Sequence, residues 1–157
     1  MKKIIRYFFL LIFFSFFNFQ ESSAELLKPS KELKPIDVVK IQLRALKNNN
    51  RPYKNAGIEQ TWEFAHPSNK KSTGPLSRFI KLLNDENYNA LLNHLEHKIV
   101  EIFKSKKKFI YEVTILDEEK NFFKYNWQIE KFLNVGPLEN CWLTTSVSLP
   151  TSLGSSI

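Results

Sequence analysis

The hydrophobic pattern of the chain changes its period near residue 95, and this change constrains the fold more than any other feature. Before it, apolar residues recur three and four positions apart, as on one face of a helix; after it, they alternate with polar residues. Alternation places every second side chain on one face of a strand, so the second half predicts strands with one buried face. Helices followed by an antiparallel meander indicate an α+β fold, with the helices packed on one face of a curved sheet.

Three helices are predicted in the first half. The apolar spacing predicts the first over residues 36–48, with Pro35 at its first position. Residues 58–65 fit both a helix and a strand, and we favour a short helix. Residues 75–84 follow the helical pattern without interruption. The polar segment 66–75 is predicted to be a loop between the last two helices.

Four antiparallel strands are predicted in the second half, at residues 95–103, 109–115, 123–129 and 141–149. A strongly twisted sheet folded around a long helix forms a cone with a pocket inside. Pro150 ends the fourth strand, and residues 151–157 are expected to form a disordered tail. Residues 25–34 are expected to be a flexible lead-in, which leaves residues 35–150 as a single domain.

The first 24 residues have the pattern of a cleavable signal peptide. Lys2, Lys3 and Arg6 give a positively charged start, and the apolar run 7–17 is too short to span a bilayer as a stable helix. Small side chains just before the junction predict cleavage after Ala24. The alternative is an uncleaved N-terminal membrane anchor. The sequence therefore predicts an exported protein.

Export makes the cysteine count informative. Cys141 is the only cysteine, so an internal disulfide is excluded and stability has to come from packing. Removal of residues 1–24 takes away three basic residues and one acidic residue and lowers the net charge from +7 to +5. This mildly basic value does not indicate nucleic-acid binding. The lysine-rich run 104–108 is typical of a solvated hairpin tip and allows only a weak attraction to anionic membrane surfaces.

Seven short motifs are spread between residues 41 and 142. They are Ile41-Gln42-Leu43-x-Ala45-Leu46, Gly57-Ile58, Trp62-x-Phe64-Ala65-x-Pro67-Ser68-Asn69, Thr73-Gly74-Pro75-Leu76-x-Arg78-Phe79, Tyr88-x-x-Leu91-Leu92-x-His94, Trp127 and Cys141-Trp142. As a set, they resemble a family of small proteins of photosynthetic lineages, the domain-of-unknown-function 4864 family. The resemblance covers about residues 35–150.

The resemblance implies a fold and a cellular location. It implies a cone-shaped fold of the nuclear-transport-factor-like or cystatin-like kind. It also implies a cyanobacterial or plastid-like source, and for an exported protein this means the periplasm or the thylakoid lumen. No activity is assigned to the family, so the resemblance supplies no catalytic residues.

A low-polarity ligand pocket is one interpretation of the aromatic content. Trp and Tyr recur in such pockets, although they are also the ordinary core of a domain without disulfides. The segment 66–75 adds polar and basic groups next to a predicted helix start. The candidate ligand-binding residues are Trp62, Phe64, His66, Asn69, Arg78, Trp127 and Trp142.

No catalytic residues and no cofactor are predicted. His94 and His97 are three apart, a spacing that could place both on one helical face as half of a metal site, but no further ligands complete the set. His66 precedes a proline at a predicted helix end, where it would cap carbonyl groups. Cys141 lies in a predicted buried strand and is interpreted as a core residue.

These observations favour a non-enzymatic exported module that binds or assembles with a protein partner or a small apolar ligand. One alternative is a small enzyme whose pocket uses His66 or His94 as a base beside Glu63 or another acid. The other is a structural accessory subunit of a membrane complex. Exposed strand edges would allow dimerisation through the sheet, but the sequence leaves the oligomeric state open.

Overall fold

A computed structural model of the chain describes residues 25–155, which form four helices followed by five strands. The helices are α1 (Pro35–Lys47), α2 (Ala56–Glu63), α3 (Pro67–Thr73) and α4 (Leu76–Leu83), and a 3₁₀ turn follows at Asn89–Leu91. The strands are β1 (Glu96–Lys104), β2 (Lys108–Leu116), β3 (Asn121–Lys131), β4 (Trp142–Val147) and β5 (Thr151–Ser155). All strand pairs are antiparallel. The predicted α+β fold, with helices packed on the sheet, is confirmed.

Helix α1 packs against the concave face of the sheet. Pro35 occupies its first turn, and the Asp37 carboxylate accepts a hydrogen bond from the Lys34 amide at 3.0 Å. One face of the helix is fully buried: Val38, Val39, Gln42, Leu43 and Leu46. These side chains pack against the buried faces of the central strands, Tyr111, Val113 and Ile115 from β2 and Tyr125, Trp127 and Ile129 from β3.

The contact between α1 and α2 is unusually close because Gly57 lies against the backbone of α1. A Cβ atom at Gly57 would be 2.1 Å from the carbonyl oxygen of Ala45 and 2.8 Å from the Cα of Asn49. The buried Asn49 side chain holds this contact, since its Oδ1 accepts a hydrogen bond from the Ile58 amide at 3.1 Å. The start of α2 is therefore fixed to the end of α1.

We expect Gly57→Ala to destabilise the protein by roughly 3 kcal/mol, because backbone atoms, which cannot yield as a side chain can, occupy the space of the new methyl group. The direction of the change in stability is informative, because Gly→Ala inside a helix ordinarily stabilises a protein by about 1 kcal/mol. Urea unfolding of the two proteins measures the difference. A variant as stable as the parent would show that α1 and α2 are further apart than described.

The sheet has five strands instead of the four predicted. β1, β2 and β3 follow one another, and β4 and β5 both pair with β3 on the edge away from β2. The expectation that residues 151–157 form a disordered tail is wrong for residues 151–155, which form β5. Leu149 and Pro150 only interrupt this edge. The segment has no alternating pattern and all five residues are exposed, so only the free edge of β3 could have indicated it.

Segment 66–75 was also predicted incorrectly, because most of it is helix α3 and not loop. None of the residues of α3 is buried, so the helix lacks the apolar stripe from which helices are recognised. Its start is fixed locally: Pro67 is its first residue, and the His66 ring accepts a hydrogen bond from the Ser68 amide at 3.1 Å. His66 thus caps the N-terminus of a helix that follows it, and not the carbonyl groups of a preceding one.

The predicted lead-in is tied to α2. The backbone of Leu27 forms two hydrogen bonds with the side chain of Gln60, at 2.7 and 2.8 Å, and Lys28 forms an ion pair with Glu63. The predicted signal peptide lies in residues 1–24, outside the described residues.

A one-residue bulge in β4 changes which of its side chains face the core. Trp127 pairs with Val147, whereas Ile129 pairs with Thr144, so Thr145 is an extra residue between them. Uniform alternation along residues 141–149 was therefore wrong. The bulge places Thr144 on the same face as Ile129, and both are buried.

Candidate functional site

A cavity of about 290 Å³ lies between the helices and the strands β3 and β4. Every helix contributes to its wall. The larger apolar and aromatic residues that line it are Leu46, Phe79, Leu82, Leu83, Leu91, Trp127 and Val147. The polar ones are Gln42, Thr61, Asn69, Ser72, Thr73, Tyr88, Thr144, Thr145 and Ser146. No charged side chain within residues 25–155 lines the cavity, so its chemistry is that of a neutral, largely apolar compartment.

The most buried polar residue in the cavity wall is Gln42. Its Oε1 accepts hydrogen bonds from the Thr144 hydroxyl at 2.6 Å and from the Trp127 indole N–H at 3.0 Å. Its amide nitrogen donates to the carbonyl oxygen of Thr61 at 3.1 Å. Gln42, Trp127, Thr144 and Thr61 are all buried. Their polar atoms hydrogen bond to one another. They therefore stabilise the cavity wall and have few free groups left to bind a polar ligand.

Asn69 and Tyr88 are two further polar residues of the cavity wall, and both are only partly buried. The Asn69 amide donates to the Thr144 carbonyl at 3.2 Å, and the Tyr88 hydroxyl donates to the Val147 carbonyl at 3.3 Å. No hydrogen bond within residues 25–155 reaches Oδ1 of Asn69. That oxygen is thus available to accept a hydrogen bond from a ligand.

The structure brings two of the seven predicted ligand-binding residues, Asn69 and Trp127, to the cavity. The other five do not line it. Phe64 is a fully buried core residue. The Trp62 ring packs against Phe79 at a tilt of 44°, with ring centroids 4.9 Å apart, and the Lys70 ammonium lies over the Trp62 ring. These aromatic residues support the cavity wall and do not reach its interior.

The remaining three candidates lie elsewhere. His66 caps α3, and its ring contacts Phe132 at 5.4 Å. Trp142 packs edge-on against Phe109 at 5.2 Å. Arg78 lies beside Gly74, where its side chain leaves no room for a Cβ atom.

Sequence reasoning missed Gln42 and Tyr88 as cavity residues, although Gln42 carried a signal. It is a polar residue in the middle of the apolar face of a predicted helix. A buried amide at such a position needs polar partners, so it points to a polar group on the opposite wall. The bulge that turns Thr144 inwards supplies one, and alternation alone could not reveal it.

The two histidines near residue 95 form a hydrogen-bonded pair, and His97 lies in a strand, as the sequence predicted for residues 95–103. His94 precedes β1 and is 1% exposed, whereas His97 lies within β1 and is half-buried. His94 Nδ1 contacts the Leu91 carbonyl oxygen at 2.7 Å, and its Nε2 contacts Nδ1 of His97 at 2.8 Å. Burial lowers the pKa of His94 to about 4, partly offset by the Leu91 carbonyl.

The neutral state of His94 predicts a loss of stability in acid. Between about pH 6.5 and pH 4 the unfolded chain binds a proton at His94 that the folded protein does not, so stability falls as the pH drops through this window. The full loss is about 3 kcal/mol. Urea unfolding at the two ends of the window measures it, and His94→Gln should show a correspondingly smaller pH dependence.

An NMR titration of the His94 ring gives an independent check. We expect the ring to stay neutral above about pH 5 in the folded protein. Protonation of His94 at its ordinary pKa would contradict the buried pair.

The enzyme alternative finds no matching pair in the described part of the chain. No histidine within residues 25–155 hydrogen bonds to a carboxylate, and Glu63 is paired with Lys28 at 2.8 Å. Burial raises the pKa of the Cys141 thiol, which disfavours a reactive thiolate. Across the same residues, no three His, Cys, Asp or Glu side chains lie close enough together to hold a metal ion.

Comparisons with the models of known protein families, with curated proteins and with solved structures find no match for this chain. The family resemblance and what it implies therefore stay predictions. None of the helices in residues 25–155 has the length and hydropathy to cross a membrane.

Proposed function

We propose that this chain is a non-enzymatic, exported binding module that holds a small neutral ligand in the cavity between its helices and its sheet. The observation that carries the proposal is the cavity itself, about 290 Å³ and largely apolar, to whose lining the described part of the chain contributes no charged side chain. The location, the periplasm or the thylakoid lumen, rests on the N-terminal pattern and the family resemblance.

The volume limits the size of the ligand. A dry apolar cavity of about 150 Å³ accepts benzene, so this cavity suits a molecule of about two rings or a short branched chain. The absence of charge in the lining favours a neutral ligand, because a charged group would lose its hydration without gaining a partner. The free Oδ1 of Asn69 favours a ligand with one hydroxyl or N–H donor.

The fluorescent probe 1-naphthol meets these requirements, since it is neutral, has two rings and carries one hydroxyl group. We expect it to bind with a dissociation constant in the micromolar range, which corresponds to a favourable binding free energy of at most about 8 kcal/mol. Asn69→Leu should weaken 1-naphthol about fivefold, the equivalent of one hydrogen bond, and leave naphthalene binding unchanged. Fluorescence titration measures both.

A blocking variant tests whether the probe occupies this cavity. Ser72 is exposed and lines the cavity, so Ser72→Trp should obstruct it without disturbing the core and weaken 1-naphthol at least about tenfold. Lys71→Trp, at an exposed neighbouring position outside the lining, is the matched control. Equal binding by the two tryptophan variants would contradict the proposal, as would a folded parent protein that binds neither probe.

Export and cleavage of the N-terminal segment are tested separately. Mass spectrometry of the protein purified from its native host should find an N-terminus at Glu25, the result of cleavage after Ala24. An N-terminus at Met1 would mean that the protein is anchored and that the exported, cleaved form is wrong. A stoichiometric membrane complex in the same preparation would favour the accessory-subunit alternative.

A further inference from the structure

The second feature that can hold a ligand is an open groove on the solvent side of α1. Lys40, Arg44 and Lys47 line one side of it, and His97 and Ile99 of β1 line the other. The three basic residues are four and three positions apart, so they share one face of the helix. Each is exposed, and none forms an ion pair with a carboxylate within residues 25–155.

The end of the groove is held in place by hydrogen bonds between α1 and the segment that precedes β1. The amide of Asn93 donates to the Leu46 carbonyl at 2.8 Å, and the Lys47 ammonium donates to the Leu95 carbonyl. Lys47 retains two further N–H donors after this bond. The groove is therefore a fixed junction between a helix and an edge strand.

The histidine pair determines which nitrogen of His97 carries the proton and which is left without a partner. A carbonyl oxygen can only accept, so Nδ1 of His94 carries a proton and donates to Leu91. Neutral His94 then presents a lone pair at Nε2, and Nδ1–H of His97 donates to it. The remaining nitrogen of His97, Nε2, carries a lone pair and has no hydrogen-bond partner within residues 25–155.

His97 can therefore take up a proton at Nε2 without any rearrangement of the pair. A second proton on His94 would instead meet the N–H of His97 and break their hydrogen bond. Proton uptake at this junction falls to His97, next to three cationic side chains. Together, His97 and these three side chains form a cluster of positive charges and N–H donors that could bind an anion.

The groups around His97 leave its protonation unfavourable in the absence of an anion. Burial lowers the pKa of His97 below its usual value, and the positive charge of Lys47 lowers it further. The residue opposite His97 on β2 is the apolar Ile115, and Val113 is opposite Ile99, the next residue on the same face of β1. The chain neighbours of His97, Glu96 and Lys98, point to the other face of β1, and Glu101 lies further along the strand beside Tyr111. Asp37 lies one turn before Lys40 on α1 and accepts the Lys34 amide.

We propose that this groove binds a tetrahedral dianion, of the kind presented by a phosphate monoester, and that His97 takes up a solvent proton at Nε2 as the anion binds. Arg44 can donate two parallel hydrogen bonds to such an anion, and Lys40 and Lys47 add charge. The donor set fits a dianion better than a carboxylate, since it brings three positive charges and, after proton uptake, a fourth.

Proton uptake makes the affinity pH-dependent. A bound dianion offsets the charge of Lys47 and accepts a hydrogen bond from Nε2–H, so it raises the pKa of His97. Between the pKa values of the free and the bound protein, affinity rises as the pH falls, by at most about tenfold per pH unit for one proton.

Sulfate is the probe for this site, because it stays doubly charged from about pH 6 to about pH 8 and its own titration does not confuse the result. Calorimetry of the purified protein should give a dissociation constant of about 1 mM or tighter near pH 6 and weaker binding near pH 8. Arg44→Gln should weaken sulfate about tenfold. Lys106→Gln removes the same charge from the exposed tip of the β1–β2 hairpin and should leave binding unchanged.

His97→Gln should bind sulfate about equally at the two pH values. In the unchanged protein, NMR near pH 7 should show the His97 ring becoming an imidazolium as sulfate is added, while the His94 ring stays neutral. The proposal is overturned if Arg44→Gln and Lys106→Gln weaken sulfate equally, or if His97 keeps its charge state on binding.

Two sources of phosphate monoester are distinguished by a final comparison. Glycerol 3-phosphate represents a soluble ligand, and vesicles that contain phosphatidic acid represent a lipid headgroup. Arg44-dependent binding to either supports the site and identifies the source. Absence of Arg44-dependent binding to both overturns it. The 1-naphthol titrations use a separate cavity, so either proposal can fail alone.

Discussion

The buried side chain of Gln42 determines how the helical layer sits on the sheet. It joins α1 to β3 through the Trp127 indole, to β4 through the Thr144 hydroxyl and to α2 through the Thr61 carbonyl. Apolar packing resists movement of α1 through the shapes of its side chains, but it does not require particular atoms to meet. Three hydrogen bonds from one amide specify a single position, and buried polar groups that fail to find partners cost about 1–3 kcal/mol each. The bonds thus add orientation to a layer whose stability comes from packing.

A fixed α1 separates two chemically different sites. Its buried side helps to close an uncharged cavity, and its exposed side presents a row of cations to the groove beside His97. The two proposed ligands, one neutral and one anionic, would then lie on opposite sides of one helix about 10 Å across. The same element limits the flexibility of both sites, since movement that widened the cavity would also displace the basic row.

The parts of the fold that depend on burial could be predicted from the sequence. α1 and α4 followed from apolar spacing, and β2 and β3 from alternation, because a packed face leaves a periodic record. α3 and β5 bury no residue and so left no such record. The cavity was only partly foreseen, through Asn69 and Trp127. The spacing of His94 and His97 was noticed, but their hydrogen bond depends on how the chain turns from His94 into β1, and the spacing alone does not specify that turn.

The bulge at Thr145 has a consequence for the way this strand can change over evolution. After Thr145, the odd-numbered Val147 lies opposite Trp127, on the inner face of the sheet. Before Thr145, it is the even-numbered Thr144 that lies on this face, opposite Ile129. Substitutions at single positions leave this arrangement intact. Loss of one residue at the bulge would instead exchange the two faces over part of the strand, and the hydroxyl of Thr144 would leave the Gln42 amide. In this strand, chain length carries as much structural information as residue identity.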